Sequence, residues 1–96
     1  MDAEKLRRHA ELLEAAIQSN LGKSKDVDWL AQYPPLVKAL EDAKAEKIHE
    51  PRDLGAGLSL WVFESNIQVF RELAERLAEF SLLLRGWPLS GEPNNA

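Results

Sequence analysis

Residues 58–85 read LSLWVFESNIQVFRELAERLAEFSLLLR, a run with no glycine or proline inside it and Gly86 directly after it. Apolar residues recur at Phe63, Ile67, Phe70, Ala74, Leu77 and Leu84, in steps of three and four broken only by Ser81. That spacing is one face of an α-helix. Leu73, Phe80 and Leu83 widen the stripe, and Glu64, Arg71, Glu72, Glu75, Arg76 and Glu79 occupy the other side. Arg71 with Glu75 and Glu72 with Arg76 are opposite charges four apart, worth ~0.2–0.5 kcal/mol each on a helix surface. The pattern predicts one long helix, starting between Asp53 and Ser59. Its apolar stripe needs a partner surface, because it is unfavourable in water. A strand over 58–63 also fits the local alternation, but no second stretch offers it a pairing partner.

The remainder of the chain supplies cover. Residues 2–21 predict a helix, with Asp2 as its cap and Gly22 after its end. Ala3, Leu6, Ala10, Leu13 and Ile17 form a narrow seam along it, suited to packing on the long helix. Ser24 or Asp26 can cap a short helical turn through residues 28–31, which Tyr33-Pro34-Pro35 stops. Pro35 suits the start of a middle helix over 35–48. Leu36, Leu40 and Ala43 give that helix a thin stripe, so a covering role is expected of it. Lys38 with Asp42, and Glu41 with Lys44, are spaced to pair along it. Residues 90–96 are polar turn formers and predict a flexible tail, leaving residues 1–89 as one helical domain. The expected fold is therefore all-α: a small bundle of three main helices plus a short one, organised on a long C-terminal helix. That helix carries more apolar surface than its neighbours can cover, so a homodimer is expected.

The 96 residues allow one modest core. Absence of cysteine removes disulfides and thiolate chemistry. The net charge of −4, from 16 acidic and 12 basic residues, lacks the basic footprint of a nucleic-acid binder. Residues 1–20 lack the apolar core of a signal peptide, and no apolar run reaches the ~18 residues of a membrane span. A cytoplasmic protein is expected.

Catalytic chemistry finds little support. No Gly-x-Ser-x-Gly elbow occurs. His9 and His49 stand outside any metal-binding spacing except the single Glu-x-x-His at residues 46–49, where a di-iron site needs two. Gly55-Ala56-Gly57 lacks the strand and the further glycines of a phosphate loop. No enzyme activity, cofactor or metal is expected. The cluster Asp26, Asp28, Trp29 and Tyr33 is a candidate contact surface, since Trp and Tyr dominate interface hot spots and carboxylates suit a basic partner. The stripe Phe63, Ile67, Phe70, Leu73 and Leu77 belongs either to the core or to a dimer interface.

These features predict a small acidic protein-binding module. The leading expectation is a neutralising inhibitor that occludes a partner protein, as immunity proteins and antitoxins do. The alternative is a dimeric adaptor that docks a partner helix. A nucleic-acid-linked regulator using Lys5, Arg7 and Arg8 ranks below both.

Overall fold

The computed structural model describes residues 2–86. They form five α-helices and one 3-10 turn, with no strand among the described residues. The order is α1 (Ala3–Asn20), α2 (Lys25–Ala31), α3 (Pro34–Lys44), α4 (Ala56–Glu64), the 3-10 turn (Asn66–Val69) and α5 (Arg71–Leu84). The expected tail at 90–96, with Trp87 and Leu89, lies outside the described residues.

Helix α1 begins where its polar cap dictates. The Asp2 carboxylate accepts the Lys5 N–H at 3.0 Å, meeting a donor that the first turn leaves unpaired. Leu6, Ala10, Leu13 and Ile17 from the predicted seam are buried, together with Ala16. The helix ends before Gly22, whose φ of +82° reverses the chain. The short helix is longer than the sequence suggests: Ser24 caps it through the Asp26 N–H, and all of Lys25–Ala31 is helical.

Helix α3 departs from expectation twice. Leu36, Ala39, Leu40 and Ala43 are all buried, and α1 lies along α3 as well as along α5. It is a core helix. Two of its four buried positions are alanines, and small side chains let it approach α1 closely; a thin stripe understated that role. It also stops at Lys44 and not at residue 48, because Glu46 turns to φ +56° and the Lys47 N–H returns to the Asp42 carbonyl. Lys44 reaches across to Glu14 at 2.6 Å and not along its own helix to Glu41.

The segment between α3 and α4 straps the end of α5. Ile48 and Leu54 are buried, and the Arg52 N–H donates to the Leu84 carbonyl at 2.8 Å. The Arg52 guanidinium holds the Asp42 carboxylate at 2.9 Å, with Lys38 at 3.4 Å as predicted. Hydrogen bonding from Arg52 lowers the Asp42 pKa below its ordinary value.

The largest correction concerns the long helix. Residues 58–85 are not continuous: α4 stops at Glu64, Ser65 is extended (φ −88°, ψ 173°), and α5 begins at Arg71. The cause is tertiary. Asp26 on α2 accepts the Asn66 N–H at 2.9 Å, and the Ser24 hydroxyl donates to the Asn66 side-chain oxygen at 2.8 Å. The Ser65 hydroxyl accepts the Ile67 N–H, and Ile67 drops fully into the core. A straight helix would forfeit these contacts. Arg71 still pairs with Glu75 at 3.3 Å, while Arg76 takes Glu79 in place of the expected Glu72.

Candidate docking surface

The break sets α4 apart. Among the helical elements, only the 3-10 turn brings Cα atoms within 8 Å of those in α4. Its entry is fixed by Gly55 at φ +100°, a conformation that residues with a Cβ avoid. The Tyr33 hydroxyl donates to the Leu54 carbonyl at 2.8 Å, and a Cβ on Gly55 would sit 3.1 Å from that hydroxyl. The Asp53 carboxylate accepts the Gly55 N–H instead of capping α4 directly.

Helix α4 is AGLSLWVFE, apolar nearly all round, so it cannot turn every large side chain inward. Leu58 is buried. Leu60 is 61% exposed and Phe63 80% exposed, and Val69 in the following turn is 79% exposed. Between α4 and the outer face of α5 lies an apolar groove of about 320 Å³. Leu58, Val62 and Phe63 wall one side, Ala74, Ala78 and Leu82 the other, with Arg85 at one end.

A ladder of rings adjoins α4. Trp29 stacks on Tyr33 at 5.0 Å between centroids and lies against Trp61 at 4.4 Å. Trp29 remains 44% exposed. Two residues of the expected contact cluster, Trp29 and Tyr33, thus stand together. The two carboxylates are engaged within the protein: Asp26 with the Asn66 N–H, and Asp28 with the Gly22 N–H at 2.9 Å. Of the expected stripe, Ile67, Leu73 and Leu77 lie in the core, Phe70 is half-buried against it, and Phe63 points away from it. Leu60 and Val69 fall off the three-four stripe; the sequence signal for exposed apolar residues here is the near absence of polar positions over 58–63.

The other candidate chemistry is dispersed. Arg7 pairs with Glu46 at 2.8 Å, so the one Glu-x-x-His has its carboxylate occupied. Arg8 pairs with Glu4. His49 is exposed on the strap. His9 faces α5 with its Nδ1 buried and without a hydrogen-bond partner among the described residues. Burial lowers its pKa; Glu79 opposes that shift, while Arg76, Lys5 and Arg8 reinforce it. No group of three or more metal-ligating side chains occurs among the described residues. None of the described helices is long and apolar enough to cross a membrane.

No protein family matches the chain, and neither a curated protein nor a solved structure shows significant similarity to it.

Proposed function

We propose that this chain is a protein-binding module whose contact surface is α4, the 3-10 turn and the outer face of α5. The observation that carries this reading is Phe63, a phenylalanine 80% exposed at the wall of an apolar groove. Contiguous exposed apolar surface is unfavourable in water and marks places where another molecule binds. On the other side of α4 the aromatic ladder leaves Trp29 44% exposed, a residue type that anchors interfaces.

Docking within an assembly is favoured over neutralisation of a basic partner by acidic steering. The large residues the fold leaves most exposed on α4, Leu60 and Phe63, are apolar, and Asp26 and Asp28 each hold a backbone N–H, so neither carboxylate is there for a partner alone. The homodimer expected from the chain's apolar surplus would use this same face.

Capture of proteins from a lysate by the immobilised chain tests the reading. Retention is expected to survive raised salt, because apolar contact is not screened, and to be lost with Phe63→Glu. Retention that disappears with salt, and with Asp28→Asn but not Phe63→Glu, would contradict it in favour of the neutralising role.

A further inference from the structure

We infer that the groove between α4 and α5 takes a second copy of this chain, docked about a two-fold axis, with Phe63 of each copy seated in the groove of the other. The inference rests on the protein-binding reading and specifies the partner.

Three observations carry it. An interface between identical surfaces must offer projection and recess on one patch. Here Phe63 projects from the wall of the groove, and Ala74 and Ala78 on the facing helix leave the recess open. The second observation is charge. Two copies of a chain with net charge −4 repel one another, except where the contact face is not acidic. The groove is lined by one charged residue, and it is the cation Arg85. At the other end of the α5 face Arg71 and Glu75 neutralise each other.

The third observation gives the register. Glu64 follows the projecting Phe63, and Arg85 lines the recess. Both are exposed, and neither has an ion-pair partner among the described residues. The proposed register pairs Glu64 of one copy with Arg85 of the other, a contact that the two-fold axis makes twice. Complementary pairs of this kind fix orientation more than they add affinity.

Sedimentation of the full chain over a concentration series tests this. A reversible dimer is expected, weakened at least about a hundredfold by Phe63→Glu, as for an anchor residue at an interface centre. Phe63 is exposed, so unchanged thermal unfolding of the dilute variant would show that the fold is intact. Arg85→Glu and Glu64→Arg are each expected to weaken the dimer about tenfold by placing like charges opposite one another. The double variant is expected to regain most of that loss. A chain that stays monomeric to about 1 mM, where affinities are too weak to matter, would overturn the inference. So would a dimer indifferent to Phe63→Glu, or charge reversals that the double variant does not repair. In any of these cases lysate capture that still depends on Phe63 would leave the protein-binding reading standing, with a different partner.

Discussion

Two phenylalanines separate the two regions of this molecule. Phe80 on α5 is completely enclosed by the body formed with α1 and α3, whereas Phe63 on α4 is 80% exposed. Both sit in the same run of apolar residues. In the body, helices meet along matching stripes and every large stripe residue finds a partner. In the arm, α4 is too apolar to be satisfied by one face, and it rests on the 3-10 turn and the aromatic ladder. The body buries its apolar stripes within the chain; the arm leaves Leu60 and Phe63 exposed, and the binding proposal rests on that exposure.

The sharpest way to break this comparison is to truncate both rings. Phe80→Ala should cost about 3–5 kcal/mol in chemical denaturation, since it leaves a cavity in a packed core. Phe63→Ala should change the stability of the monomer by no more than about 0.5 kcal/mol. Comparable losses at both sites would mean that α4 is packed like the body.

Gly55→Ala probes how the arm is attached. A φ of +100° with the Tyr33 hydroxyl close by leaves no comfortable place for a methyl group. A loss of about 1–3 kcal/mol is expected, with a change in Trp fluorescence as the ladder shifts. Asp26→Ala probes the break itself. It removes the acceptor of the Asn66 N–H and should cost about 1 kcal/mol. An Asp26 that served only an external partner would leave stability untouched.

The smallest expected effect is on pH. Burial disfavours the charged form of His9, so its pKa lies below the unfolded value of 6.5. Between those two values the unfolded chain binds more protons. Stability therefore holds above pH 6.5 and declines as pH falls through that window. His9→Leu should flatten this part of the profile. Asp42, lowered by Arg52, acts at the acid end: its contribution is present above its unfolded value of 3.8 and is lost as pH falls below it.

The body was legible in the sequence because its signals are local. Asp2 caps α1, Gly22 ends it, Tyr33-Pro34-Pro35 separates α2 from α3, and the seam of α1 reads directly as buried residues. The break at Ser65 was not legible in this way. The apolar spacing from Phe63 through Ile67 and Phe70 to Leu77 suits a straight helix, and nothing nearby in sequence forbids one. What decides against it lies 40 residues away in the Asp26 carboxylate that holds the Asn66 N–H. Ser65-Asn66 was the available hint, two residues that compete with helical hydrogen bonding. The placement of the four residues Asp26, Asp28, Trp29 and Tyr33 was half legible for a similar reason. Aromatic residues announce a surface by type, but whether a carboxylate faces solvent or a backbone N–H depends on the fold.

The most direct test of the account is the distance between α4 and the end of α5. The chain has no cysteine, so Phe63→Cys with Leu82→Cys gives two unique sites for spin labels. These two positions line opposite walls of one groove in the broken arrangement. A continuous helix would set them about 28 Å apart at a rise of ~1.5 Å per residue. The account predicts less than half that separation; a distribution centred near the straight-helix value would contradict it.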